Sequence, residues 1–286
     1  MAPLMPPRRL GRAASRLVSH GLIYAFLIGL SLLMVSPFLW MLSASFKPDA
    51  EMFDFPINWI PLHPAPENYD RVWTNLHYAR LMTNTLFLTV TVTALQLITS
   101  TLAGYAFAKI PFQGANILFL GYIATLMVPF QVVMIPQFTI VRILGLTNNY
   151  SSIILILAAS PFGVFMMRQF FRGIPLELSD AARIDGLNEF GIYRQIIVPL
   201  SKAALASLAI FTSVTVWNDF LTPLIYINKS DQWTIQLGLR SLFAEYTADY
   251  GGVMAGAVMA VVPVLIVFLA LQRYFIQGIA MNGLKG

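Results

Sequence analysis

Residues 81–108 read LMTNTLFLTVTVTALQLITSTLAGYAFA, a run of 28 residues without one Asp, Glu, Lys or Arg. Two readings compete within it. The TVTVT run at 89–93 alternates as a strand does. The full length matches what a helix needs to cross a hydrocarbon layer, roughly 20 apolar residues for about 30 Å. In hydrocarbon a lone strand leaves its N–H and C=O groups unpaired, whereas a helix pairs its own. Length and lack of charge therefore override the local β pattern, and the stretch reads as a membrane-spanning helix.

The same test extends outward. Residues 17–46, 110–141, 143–167 and 250–272 also lack charge, and 203–228 contains only Asp219. These six windows hold 164 residues and one charge, while the other 122 residues carry 30. Over all 286 residues, 11% are charged and 57% hydrophobic, against about 25% charged in a soluble domain. This excludes an ordinary soluble enzyme and a disordered chain. There is no Cys, which excludes thiolate metal sites and disulfides. His20, His63 and His77 lie too far apart in sequence to suggest a metal cluster. No nucleic-acid partner is expected. The fold class is an all-α polytopic membrane protein with six transmembrane helices, at about 20–44, 81–108, 115–138, 151–168, 203–227 and 250–272.

Arg8, Arg9, Arg12 and Arg16 before the first window resemble the start of a signal peptide. A signal's apolar core runs about 7–15 residues. This window is twice that and lacks a small-x-small cleavage site, so it reads as a retained helix. With the N-terminus placed in the cytoplasm, inside segments carry 12 basic residues and outside loops 6. The excess of inside Lys and Arg supports that orientation. Six spans then put both termini in the cytoplasm, with 1–16 as a cytoplasmic N-terminal segment and 17–286 as one transmembrane domain.

Between the spans the chain has further signals. Loop 47–80 holds five prolines and cannot be one helix. Trp59 and Trp73 suit a membrane interface, and Glu67–Ala79 suits a short amphipathic helix lying on the surface. Thr85, Thr89 and Thr93 recur every four residues and continue into Gln96 and Ser100. Such a stripe packs against neighbouring helices or lines a wet path. Pro129 and Pro136 predict a bend in the third span, for packing or for function. Gly252, Gly256 and Ala260 form a small-residue stripe that lets helices approach closely.

Residues 168–202 read RQFFRGIPLELSDAARIDGLNEFGIYRQIIVPLSK. Gly173 ends one helix and Pro175 suits the first turn of the next. A short helix is expected over Leu176–Asp185, stopped by Gly186, and a second starts near Asn188, a good N-cap. Ala181 and Ala182 make the short helix thin, and Asp180, Arg183 and Asp185 ring it with charge. Such a helix fits a groove of another protein or serves as a solvated connector; these residues alone leave both open.

This segment resembles the EAA motif of permease subunits in binding-protein-dependent ABC importers. The matching residues are Asp180-Ala181-Ala182, Gly186, Ile196 and Val198-Pro199, at the motif's spacing and within the coupling segment 175–199. Asp180 stands where the motif has Glu, and Val198 where it has Leu. Further resemblance to the carbohydrate branch, and to the smaller maltose-type subunit, lies in Ser45-Phe46-Lys47, Glu67-Asn68-Tyr69, Gly104-Tyr105-Ala106-Phe107-Ala108, Trp217-Asn218-Asp219-Phe220 and Asn282-Gly283-Leu284-Lys285-Gly286. The resemblance implies an ABC-importer permease fold in a prokaryotic cytoplasmic (inner) membrane. It implies a heterodimer with a second related permease, two cytoplasmic ATPase subunits and an extracytoplasmic solute-binding protein. Asp180, Ala181, Ala182, Arg183, Asp185 and Gly186 would couple to the ATPases, and the tail residues Asn282, Gly283, Leu284 and Lys285 would contact them.

The chain lacks a G-x-x-x-x-G-K-[ST] loop, so no cofactor is expected on it and ATP-Mg would be used by the partner subunits. It is expected not to be an enzyme. Thr215, Asn218 and Thr222 are expected on one helix face and, with Asp219, Thr89 and Thr93, are the candidates for a sugar path; Phe211 flanks them. A charge within a span is a functional candidate, yet Asp219 also suits a structural hydrogen bond, the preferred reading. The loop 229–249, with Trp233 and Tyr246, is expected to touch the binding protein. Competing classes are an importer of a non-sugar solute and a stand-alone ion-coupled secondary transporter. The latter predicts more ionisable residues within the spans than this chain carries.

Overall fold

A computed structural model describes residues 10–243 and 249–283, and every regular element among them is helical. Tyr246, Leu284, Lys285 and Gly286 lie outside the described residues. The helices are α1 (Leu10–Ala44), α2 (Glu67–Asn75), α3 (Tyr78–Lys109), α4 (Ala115–Ala124), α5 (Phe130–Ile143), α6 (Tyr150–Leu157) and α7 (Pro161–Arg172). They continue as α8 (Leu176–Ile184), α9 (Glu189–Ile192), α10 (Val198–Leu200), α11 (Lys202–Trp217), α12 (Leu221–Tyr226), α13 (Ile235–Ser241) and α14 (Tyr250–Gly283).

Among the described residues, four stretches are long and apolar enough to cross a membrane as they stand: Ser19–Ala44, Tyr78–Lys109, Tyr150–Arg172 and Tyr250–Ala270. Two more pass as bent pairs. Ala115–Met127 and Phe130–Ile143 meet at 102°, and Glu189–Leu200 and Lys202–Trp217 meet at 79°. The first bend falls at Pro129, which precedes α5 in an extended conformation. Val128 before it is also extended, as the ring of a following proline demands. Pro136 lies inside α5, so of the two prolines the bend belongs to Pro129. The TVTVT run is wholly helical within α3.

Three stretches differ from the sequence reading, one of them the span expected over 151–168, which is interrupted between Leu157 and Pro161. The helix expected over Glu67–Ala79 ends at Asn75, because His77 turns through a left-handed conformation (φ 48°) and Tyr78 opens α3. The stretch expected as a span over 203–227 breaks after Trp217. Asn218 and Phe220 leave the helical register, and Leu221 starts a new helix.

The chain divides into two compact units, one reaching Tyr69 and including Asp249–Val258, the other taking up Asp70 and Met259 onward. In the first, Asn68 donates from Nδ2 to the carbonyls of Ser45 (3.0 Å) and Lys47 (2.9 Å), and the Ser45 and Tyr69 hydroxyls lie 2.7 Å apart. Two tripeptides separated by 19 residues, Ser45–Lys47 and Glu67–Tyr69, are thus one hydrogen-bonded unit. Gly251 packs here; a Cβ on it would lie 2.5 Å from Asn68 Nδ2.

The second unit is built on α3. Gly104 lets α3 meet α7 closely, since a Cβ there would stand 2.9 Å from Met167 Cβ and 3.0 Å from the Arg168 nitrogen. Two apolar clusters flank the crossing. One gathers Tyr105, Met167, Phe171, Ala182, Ile192, Ile197 and Leu208, and so joins α3, α7 and α11 to the segment that carries α8 and α9. The other gathers Leu88, Val92, Val141, Ile153, Val216 and Tyr226.

Candidate functional site

The segment between α7 and α11 is built from local rules. Gly173 closes α7, and Pro175 stands at the N-cap of α8 in an extended conformation. α8 lasts nine residues and stops because Gly186 takes a left-handed conformation (φ +86°) that side-chain-bearing residues resist. Asn188 then caps α9, its Oδ1 accepting from the Gly191 amide at 2.8 Å. A π turn over Tyr193–Ile197 leads into α10.

α8 presents two faces. Ser179 and Ala182 are buried, and Ala182 belongs to the first apolar cluster. Asp180, Ala181, Arg183, Asp185 and Gly186 are exposed, beside an exposed Ile184 that shows 87% of its surface. The motif alanines therefore have separate tasks: Ala182 seats the helix and Ala181 keeps its free face low. Arg183 donates to Asp180 Oδ1 (2.6 Å) and to Glu189 Oε1 (2.8 Å), and Glu189 Oε2 accepts from the Tyr105 hydroxyl at 2.7 Å. The Glu189 and Asp180 carboxylates raise the Arg183 pKa above the ordinary guanidinium value, the Glu189 hydrogen bond most of all. Glu189 and Tyr105 had no signal as partners, because 84 residues separate them.

A second group surrounds the end of α11. Thr215 and Asp219 line a cavity of about 260 Å³ with Gln96, Ser160, Phe162 and Phe211. Gln96 crosses from α3, donating to the Leu157 carbonyl (2.7 Å) and accepting from Thr212 (3.0 Å). Asp219 Oδ1 accepts from the Thr222 amide at 3.1 Å and so caps α12. Thr222 is buried, whereas Thr215 and Asn218 are exposed. The helix break separates the three residues expected on one face. Asn218 turns its amide back onto the Val214 carbonyl (2.8 Å).

Thr89 and Thr93 lie elsewhere, on a largely apolar cavity of about 330 Å³ that Trp217, Pro263 and Val267 also line. Other members of their stripe pack against neighbouring segments. Thr85 donates to the Leu81 carbonyl and accepts from the Ile235 amide (2.9 Å), and Ser100 lies against Gly163. Trp233 is held near the start of α3, where Asn84 donates to its carbonyl at 2.9 Å. Asn282 and Gly283 fall in the last turn of α14. Among the described residues no group of His, Asp and Glu could hold a metal ion.

Residues 97–281 match the family described as binding-protein-dependent transport system inner membrane component. The chain belongs to this family. The match covers α8, the cap at Asn188, the C-terminal part of α3 and most of α14. Among curated relatives of this transport component, the arabinooligosaccharides transport system permease AraQ of Halalkalibacterium halodurans is 38% identical over 88% of this chain and 91% of its own. The lactose transport system permease LacG of Rhizobium radiobacter is 33% identical over 89% and 93%. A solved structure of a bacterial ABC transporter involved in import of the acidic polysaccharide alginate superimposes with a TM-score of 0.78 at 25% identity. It covers 96% of this chain and 100% of its own. The chain is therefore a multi-pass membrane component of a binding-protein-dependent transport system, and its named relatives are transport permeases rather than enzymes. The stand-alone secondary transporter is not favoured.

Proposed function

We propose that this chain is the permease subunit of an ATP-driven ABC importer for a sugar or sugar derivative, and forms half of its translocation path. The observation that carries the reading is α8: a seated, thin helix with an open, charge-ringed outer face, inside the family's matching region. Relatives named for arabinooligosaccharide and lactose transport support the sugar.

In this reading the six charge-poor windows form six spans, both termini and α8 face the cytoplasm, and the membrane is a prokaryotic inner membrane. A second, related permease completes a heterodimer. Two cytoplasmic ATPases bind and hydrolyse ATP-Mg, and this chain binds no cofactor. An extracytoplasmic solute-binding protein docks on the opposite side, where the 229–249 loop meets it. Asp180–Gly186 takes up ATPase closure and passes it to the bundle, which rocks between two states biased by nucleotide. Asn282–Lys285 adds an ATPase contact. Thr215 and Asp219, with Gln96 and Phe211 beside them, offer hydroxyl-matching polar groups and an aromatic ring to a passing sugar. Asn218 extends this group, while Thr222, Thr89 and Thr93 line the route at its margins.

Gly186 makes a direct test. No atom outside its immediate chain neighbours lies within 4 Å of a Cβ built there, so the chain leaves open space at this position. In the assembled complex in proteoliposomes, Gly186→Trp is expected to abolish solute-stimulated ATP hydrolysis while the subunit still inserts. Gly186→Ala carries the same backbone strain, roughly 1 kcal/mol, and is expected to keep most of the stimulation. Full stimulation in a correctly assembled Gly186→Trp complex would overturn the coupling role.

A further inference from the structure

Thr101, Tyr105 and Lys109 recur every four residues and so share one face of α3. All three are buried, at 3%, 4% and 6% exposure. Each polar tip reaches a different point of the segment that carries α8. The Thr101 and Tyr193 hydroxyls lie 2.8 Å apart. Tyr105 donates to Glu189 Oε2 at 2.7 Å. Lys109 donates from Nζ to the Ile174 carbonyl at 2.5 Å. The rungs thus grip the segment before α8, just after it, and at its π turn.

The middle rung differs from the others. Glu189 accepts from Tyr105 on one oxygen and from Arg183 on the other, and Arg183 also holds Asp180. A continuous chain of hydrogen bonds therefore runs from the exposed face of α8 to the body of α3. The apolar contact of Ala182 with its cluster is non-directional and tolerates sliding. A charge-assisted bond fixes direction as well as distance.

We propose that Thr101, Tyr105 and Lys109 form a clamp that makes α3 the receiver of α8 motion, with Tyr105 and Glu189 as its positioning residues. The proposal rests on the coupling role of α8 and says where the motion goes next. A clamp that only stabilised the fold would affect transport and hydrolysis alike. A clamp that transmits motion sets the ratio between them.

The test uses the whole importer, with its ATPases and binding protein, in proteoliposomes, and reads solute moved per ATP hydrolysed. Tyr105→Phe removes one hydroxyl and keeps the ring. The hydroxyl it removes is the one bonded to a charged carboxylate, a bond stronger than a neutral one, so the ratio is expected to fall about tenfold or more. Glu189→Ala, which removes the Arg183 bond as well, is expected to fall at least as far, and the double variant no further than Glu189→Ala, because the chain is already cut. Glu189→Gln keeps one oxygen for the Tyr105 hydroxyl but sets its NH2 against the Arg183 donor, so it cuts the chain on the α8 side and is expected to lose the ratio about as far as Tyr105→Phe. An unchanged ratio in Tyr105→Phe overturns the clamp, and so does an equal loss of transport and hydrolysis. Gly186→Trp in the same assay separates the two claims. If it abolishes stimulation while Tyr105→Phe keeps the ratio, only the clamp fails; if it leaves stimulation intact, the coupling reading fails first.

Discussion

Asp219 is the single charge in six apolar windows, and its surroundings give it two tasks. One carboxylate oxygen caps α12 through the Thr222 amide, and the residue also lines the cavity with Thr215 and Gln96. Neutral and charged caps differ little, since Asn and Asp rank together at that position. Asp219→Asn therefore keeps the cap and removes the charge, while Asp219→Ala removes both. The capping role predicts that Asp219→Asn transports within about twofold of wild type. Asp219→Ala is expected to lose roughly 1 kcal/mol of stability, seen as a lower thermal midpoint of the purified complex. A large transport loss in Asp219→Asn, with an unchanged midpoint, would assign the charge to the solute path instead.

At the scale of the element, the α3–α7 crossing depends on having no side chain at Gly104. Gly104→Ala would place a methyl against Met167 and the α7 backbone, and overpacking of this kind costs about 1–3 kcal/mol. The expected result is a complex with a lower thermal midpoint, and the larger Gly104→Val is expected to lower it further. An unchanged midpoint in both would mean that the crossing is loose. Some of these elements were legible in the residues and some were not. Among the described residues, charge-free length marks the four stretches long and apolar enough to cross a membrane as they stand, because the cost of burying a charge in hydrocarbon acts on each residue separately. The same signal missed the breaks at Pro129 and Asn218–Phe220, since a bent helix is as apolar as a straight one. The prolines do predict the bend in the third span, without choosing between Pro129 and Pro136, whereas His77 carries no comparable sign of its left-handed turn. In the α8 segment the Gly186 stop and the Asn188 cap follow local chemistry, and both were read correctly. The bonds of Tyr105 to Glu189 and of Arg168 to Asn116 (2.9 Å) span 84 and 52 residues. No local periodicity encodes such pairs, so tertiary packing alone reveals them.

For the whole molecule, the distribution of Lys and Arg sets which side of the membrane each loop is expected to occupy. The excess of Lys and Arg on one set of segments predicts that α8 is cytoplasmic and that the 229–243 region is outside. The chain has no cysteine, so a single introduced thiol reports its own position without background. Ile184 on α8 and Ser230 before α13 are both exposed, and each belongs to one side in this topology. Ser230→Cys is expected to react with a membrane-impermeant maleimide in intact cells with the outer barrier opened. Ile184→Cys is expected to react only after the inner membrane is broken, and less when the ATPase subunits are bound, because they cover that face. The odd number of spans between the two sites makes the pair decisive. α11 with α12 is the chain that separates them, and if its break at Asn218 made it re-enter the same side, both thiols would label together. Reaction of Ile184→Cys in intact cells would invert the orientation and remove α8 from any ATPase, and with it the route by which hydrolysis could drive this bundle.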